Sequence, residues 1–313
     1  MLRDIARGED PQITAVIAVL VHADADVILL TGFDWDYNGT ALEAFAKALA
    51  VAGSPYPHRF AAQPNSGIPT GLDLDRNGYL GDARDAQGFG RFAGEGGMAV
   101  LSRLPINTAG VRDFSTFLWR DLPGAMIAGE TPDALAVQRL STTAHWEVPI
   151  MLPKGVLHLL AWHATPPVFD GPEDRNGRRN HDEAAFWTAY LDGDLPMRPP
   201  DGPFVILGDG NLDPLDGEGL TAAMTKLLAD PRLQDPEPRG KTGRSDADHK
   251  GDAALDTALY PGIGGLRVDL VFPSADLTVT DAGVLWPPDT DPMAATAAAA
   301  SRHRLVWVDV ALP

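Results

Sequence analysis

A mixed α/β domain, with sheets packed inside helices, is the fold class this sequence predicts. Three observations carry that reading. Apolar runs of strand length recur along the whole chain, bounded by Gly, Pro, Asp and Asn. Helical patterns are interspersed among them rather than strictly alternating with them. The 313 residues, 44% of them hydrophobic, suffice for one large core, so residues 1–313 are read as a single domain.

Taken in order, Ile13, Val16, Ile17 and Leu20 recur at helical spacing. Asp24 to Asp26 break that pattern, and Val27-Ile28-Leu29-Leu30 predicts a buried strand. Thr31 to Asn38 then reads as a loop, and 40–51 as a helix with Thr40 as its N-cap. Residues 61–96, rich in Gly, Asp and Asn without a sustained period, read as a long loop. Strands are expected at Gly97–Arg103, Val137–Ile150 and Val156–His163. A loop over Ala164–Asn180 and a helix from about His181 to Leu191 follow. Phe204–Leu207 predicts a strand, 219–229 a helix, and 231–262 a polar stretch. Leu266–Phe272 and Leu305–Ala311 are the last expected strands, and 287–300 reads as a low-complexity loop.

Composition narrows the function. A formal net charge of −18 disfavours a nucleic-acid backbone as partner and suits a small phosphorylated substrate or a hard cation. The absence of cysteine removes disulfide and thiol chemistry. No apolar run is long enough for a membrane span. A monomer is expected.

The most informative stretch is Gly208-Asp209-Gly210-Asn211, which closes the strand Phe204–Leu207. An acid and an amide two residues apart point the same way from an extended backbone. The carboxylate takes a proton or holds a cation, and the amide donates to an oxyanion without adding charge. Glycines on either side permit a sharp turn and a close approach. Other strand ends carry Asp34 with Asp36, His163, Arg267-Val268-Asp269, and His303 just before Leu305. Asp269, flanked by Val268, Leu270 and Val271, should be buried and therefore paired, and a histidine would satisfy it.

In this order, His163, the Gly208–Asn211 tetrad, Arg267-Val268-Asp269 and Ser301-Arg302-His303 resemble the motifs of the endonuclease/exonuclease/phosphatase superfamily. Leu101-Ser102-Arg103-Leu104-Pro105-Ile106 resembles a further segment of it. The resemblance implies a four-layer α/β sandwich of two packed sheets flanked by helices. It implies metal-dependent phosphoester hydrolysis by in-line attack of water, with one divalent cation, usually Mg²⁺. Asp209 would orient or deprotonate the water and Asn211 would stabilise the transition state. His163 would contact a phosphoryl oxygen, and His303 paired with Asp269 would complete the phosphate pocket or act as acid or base.

Three departures stand against that pattern. Thr31-Gly32 occupies the place of the usual Gln-Glu, whose Glu is the principal metal ligand; Asp34 is the nearest substitute. Arg302 replaces an Asp that is commonly a second ligand, and would hold phosphate directly. The family opens with a strand ending in Asn, and nothing before Ile13 can form it. The expectation is that residue 1 is not the natural start, and that a signal peptide and first strand precede it. A periplasmic or secreted protein would follow. Three readings stay open: a phosphatase or phosphodiesterase with a weakened metal site, a catalytically weak binding module, and a nuclease.

Two further features complete the expectations. Asp73, Asp75 and Asn77 alternate ahead of Gly78 like the opening of a Ca²⁺ loop, with Asp82 or Asp85 to close the shell, since the twelfth position is Arg84. His145, Arg179 and Asn180 are candidate substrate contacts, the latter two at the start of the expected helix.

Overall fold

Four layers stack in the computed structural model, which describes residues 1–312. In chain order the elements are α1 (Leu2–Arg7), α2 (Pro11–Ala23), β1 (Val27–Phe33), α3 (Thr40–Val51), β2 (His58–Phe60) and β3 (Gly97–Ser102). Next come β4 (Arg112–Asp113), α4 (Pro132–Val137), β5 (Ala144–Met151), β6 (Val156–His163), α5 (Arg175–Asp192), β7 (Phe204–Asp209) and α6 (Ala222–Leu228). The chain closes with β8 (Ala258–Tyr260), β9 (Gly264–Leu266), β10 (Asp269–Pro273), β11 (Thr278–Val284), α7 (Pro292–Ala300) and β12 (Val306–Ala311).

One sheet has the order β10-β7-β6-β5-β4, the other β1-β3-β2, and β11 and β12 form a separate hairpin. The period-2 alternation of β6 explains the stacking. Leu160 and Trp162 point outward to Ala184, Trp187, Met224 and Leu227 of α5 and α6. Leu159 and Ala161 point inward to Met98 and Val100 of β3. On the far side, Ile28, Ala99 and Leu101 pack on Leu20, Leu42, Phe45 and Leu49 of the helical layer. Trp162 is fully enclosed, and truncating so large a side chain to Ala costs about 3–5 kcal/mol.

Several boundaries differ from expectation, each for a local reason. α5 begins at Arg175, six residues before His181, because Arg175 and Arg178 anchor its first turns to Glu130. Asn180 therefore lies inside the helix and caps nothing. Gly39 is the N-cap of α3, and Asp36, accepting from Thr40 N and Ala41 N at 2.8 Å each, does the capping expected of Thr40. Residues 292–300 are helix, capped by Asp291 through Met293 N; a run of alanines has the propensity but no amphipathic period to announce it. The strand expected from Val137 starts only at Ala144, behind α4. β2, β4, β8 and β11 lie outside the expected strands.

Candidate active site

Three strands deliver three side chains to one level. His163 ends β6, Asp209 ends β7, and the parallel register pairs them directly. Asp269 opens β10, and the antiparallel register sets it opposite Asp209. Gly208 makes this closure possible. Its φ is 150°, and a Cβ there would lie 1.9 Å from the Trp162 carbonyl oxygen of the neighbouring strand. Asn211 turns the chain away in a left-handed conformation, with φ 50°.

His303 completes the cluster from the segment ahead of β12. Its Nδ1 lies 2.9 and 3.1 Å from the two oxygens of Asp269 and 3.8 Å from Asp209 Oδ2. Its backbone N–H donates to Ser301 Oγ at 3.0 Å, which fixes the approach. Its Nε2 lies 3.3 Å from the Tyr260 hydroxyl. Burial opposes protonation of His303, but the charge and hydrogen bond of Asp269 and the charge of Asp209 outweigh it and push its pKa up to about 9. Burial, and then the neighbouring His303 charge, depress His163 to about 4, so His163 is a neutral imidazole. Its Nε2 sits 3.5 Å from Asp209 Oδ2, and its Nδ1 is buried without a partner.

Asp209 is buried, and burial followed by the Asp269 charge raises its pKa. Its Oδ1 accepts the Asn211 N–H at 2.8 Å. The Asn211 side-chain amide donates to the Ala164 carbonyl at 2.8 Å, tying the loop after β7 to the loop after β6. Asp269, with its backbone N–H donating to Thr257 Oγ1, is half-buried and paired, as its apolar neighbours required.

Asp209, Asp269 and His303 each offer a ligand atom, all within 4.8 Å of one another, and could hold a cation. Burial, and then the Asp269 charge, disfavour the ionised form of Asp209, a cost that a cation would offset, and His303 could join as a ligand only as the neutral imidazole. That donor chemistry fits a hard divalent ion. Asp34 lines the same cavity and accepts Gly96 N at 3.0 Å. Gly32 also lines it and offers no side chain, while Arg302 stands exposed at its rim.

Three expected substrate contacts lie elsewhere. Arg179 is buried under Trp119 and spends its N–H groups on the carbonyls of Leu140, Gln87, Arg139 and Ser141. His145 is 1% exposed, bonded to Ser141 Oγ and the Glu183 carbonyl and packed among Trp162, Phe186 and Trp187. Asn180, also 1% exposed, donates to the carbonyls of Thr165 and Gly210 at 2.7 and 2.8 Å. It touches both site loops from behind and does not border the cleft. Arg267 is committed to an ion pair with Asp235. Tyr260 escaped the sequence reading: it sits in a short strand with no motif around it, and only its contact with His303 identifies it.

The acidic loop is assembled as its spacing suggested, with one exchange. Oxygens of Asp73, Asp75 and Asp85 lie within 4.8 Å of one another. The Asn77 amide donates to Asp75 and Asp82 instead of offering its oxygen, which accepts Tyr79 N.

A sequence model described as the Endonuclease/Exonuclease/phosphatase family matches residues 3–303. No curated protein matches the sequence. Among solved structures, an endonuclease/exonuclease/phosphatase from Beutenbergia cavernae is 18% identical, with a TM-score of 0.58 over 97% of this chain and 66% of that one. This chain thus spans just under two thirds of that protein. A family protein from Leptotrichia buccalis is 15% identical with a TM-score of 0.53, covering 98% of this chain and 97% of that one. A mannosyl-6-phosphatase from Bacteroides thetaiotaomicron is 13% identical with a TM-score of 0.52, covering 99% and 95%. At these identities the likeness is one of fold.

Proposed function

Because this chain belongs to the endonuclease/exonuclease/phosphatase family, we propose that it hydrolyses a phosphoester of a small molecule in the cleft of His163, Asp209, Asp269 and His303. The observation that carries this reading is the level row His163–Asp209–Asp269, closed from the side by His303. It combines a neutral imidazole, a buried carboxylate and a charged imidazole around one space. Asp209 orients the attacking water and accepts its proton. The His303 imidazolium, held by Asp269, offers positive charge to the phosphoryl oxygens and a proton to the leaving oxygen. His163 donates a hydrogen bond to a phosphoryl oxygen. Asn211, through Ala164, keeps the two loops at fixed separation.

Mg²⁺, held by Asp209 with Asp34, a carboxylate lining the same cavity, would neutralise charge developing on the phosphoryl group. Arg302 at the rim supplies a fixed positive charge for the substrate phosphate. The net charge of −18 favours a compact phosphorylated substrate over a nucleic acid. We further propose that Asp73, Asp75 and Asp85 bind Ca²⁺ and brace the long loop. A calcium titration that leaves the melting temperature unchanged, or an equal shift in Asp75→Ala, would count against that.

A second reading has its own support. Gly32 and Arg302 leave the cleft poor in carboxylates, which favours a module that binds phosphate and turns it over poorly. Hydrolysis of p-nitrophenyl phosphate and bis(p-nitrophenyl) phosphate, with and without Mg²⁺, separates the two. Turnover that disappears in His303→Ala supports the hydrolase. A folded protein that binds phosphate and releases no nitrophenolate from either compound sinks it.

A further inference from the structure

Phe169 is held in a backbone conformation that its own side chain makes costly. Its φ is 74°, and among the described residues no other apolar side chain has a positive φ. A bulky residue in that region is an outlier, and such strain persists only where the surroundings impose it. Pro166 and Pro167 stiffen the approach to Phe169. The Val168 carbonyl accepts from Asn176 Nδ2 at 2.8 Å, and the Asp170 carboxylate accepts the Asn176 N–H. Both neighbours are thereby pinned to the first turn of α5, and Phe169 between them is 79% exposed.

A second large apolar side chain is displayed in the same way. Tyr260 to Ile263 form a tight turn in which the Ile263 N–H donates to the Tyr260 carbonyl at 3.1 Å. Pro261 followed by Gly262, with φ 79° at the glycine, is the central pair that a type II turn takes. The Ile263 carbonyl accepts from His249 Nε2 at 3.0 Å, and Ile263 is 59% exposed. Single exposed apolar residues are ordinary. Two on braced loops that both line the cavity of His163, Asp209, Asp269 and His303 are not.

We propose that Phe169 and Ile263 form an apolar subsite beside the phosphate cleft, which takes the alcohol half of the substrate. That half is neutral and carries a ring or a short hydrocarbon body. Phe169 offers a ring face for stacking, and Ile263 a branched aliphatic surface. Asp216 and Glu218 line the same cavity and repel a second anionic group. Strain at Phe169 presents the ring before a ligand arrives, so less order is lost on binding. The inference rests on the catalytic reading for the place of the phosphoryl group.

Calorimetric titration with benzylphosphonate and methylphosphonate, with Mg²⁺ present, tests this without turnover. The two share an anionic head and differ by a phenyl ring. Wild type should bind benzylphosphonate at least about tenfold more tightly. In Phe169→Gly the ratio should fall to within about twofold while the melting temperature holds or rises, because glycine adopts the positive φ without strain. Ile263→Ser, at a position without positive φ, reads the same ratio should Phe169→Gly fail to fold. Equal affinities in wild type, a ratio unchanged in both variants, or binding of neither phosphonate overturns the proposal. Phosphatidylcholine vesicles retained by a wild type with equal affinities would reassign Phe169 to a lipid surface. A protein that keeps the preference and hydrolyses neither nitrophenyl ester loses the hydrolase reading and retains the subsite.

Discussion

His303 Nδ1 lies 2.9 Å from Asp269 Oδ2 and 3.8 Å from Asp209 Oδ2, so one imidazolium stands between two carboxylates from neighbouring strands. Removing it leaves both negative charges facing each other in a buried setting. His303→Ala is expected to lower kcat/KM by about 10²–10⁴-fold. Asp269→Ala should lose less, and the double variant little more than His303→Ala alone, because the two act as a unit. Steady-state kinetics on a chromogenic phosphoester checks this; fully additive losses would dissolve the pair.

Burial, and then the Asp269 charge, oppose ionisation of Asp209. Asp209→Asn removes that repulsion, so it should raise stability by about 1 kcal/mol while abolishing turnover. The same variant should weaken Mg²⁺ binding. Thermal melts with calorimetric Mg²⁺ titrations of both proteins test the claim, and an unchanged Mg²⁺ affinity would remove Asp209 from the cation site.

Asn180 bridges the loop after β6 and the loop after β7 by donating to Thr165 and Gly210. Asn180→Ala strands two buried carbonyls, at about 1–3 kcal/mol each. Because it frees both loops, kcat should fall while KM moves less. Denaturant melts and kinetics together distinguish this from a direct substrate contact, which would raise KM.

Glu183 is fully enclosed, and burial pushes its pKa from an ordinary 4.5 to about 7, against the Arg179 charge and hydrogen bonds from Thr142 and Thr165. Below pH 4.5 folded and unfolded chains both hold the proton. Between 4.5 and 7 the folded chain keeps a proton that the unfolded chain has lost, so this group's contribution to stability falls as pH rises through that window. Above about 7 it is constant. The total is on the order of 3 kcal/mol. Glu183→Gln should flatten the decline of melting temperature between pH 5 and 7; an equal slope in both proteins rejects the assignment.

The parts of the site that the sequence made legible are those announced by a strand end. His163, Asp209 and Asp269 each stand where an apolar run stops, and the register of β6, β7 and β10 carries them to one level. His303 stands just before the strand at Leu305, and the family resemblance is what pairs it with Asp269. Arg179, Asn180 and His145 were misplaced for one reason: a polar residue beside a helix start or in a strand looks the same whether it faces solvent or a buried set of carbonyls. Here tertiary contacts extended α5 backward by two turns and turned Arg179 and Asn180 into its interior braces. Tyr260 depends on a contact 43 residues away and has no local signature.

Asp269 belongs to the five-stranded sheet, whereas His303 precedes β12 of the separate β11–β12 hairpin. Their bond therefore joins the five-stranded sheet to that hairpin, beside apolar packing of Leu277 and Val310 with Val205 and Val271. Such packing resists separation but tolerates small sliding, while a 2.9 Å hydrogen bond does not. The proposed turnover would therefore report the alignment of the hairpin with the sheet. Under mild denaturant the cleft would lose its geometry while the secondary structure still reads as intact.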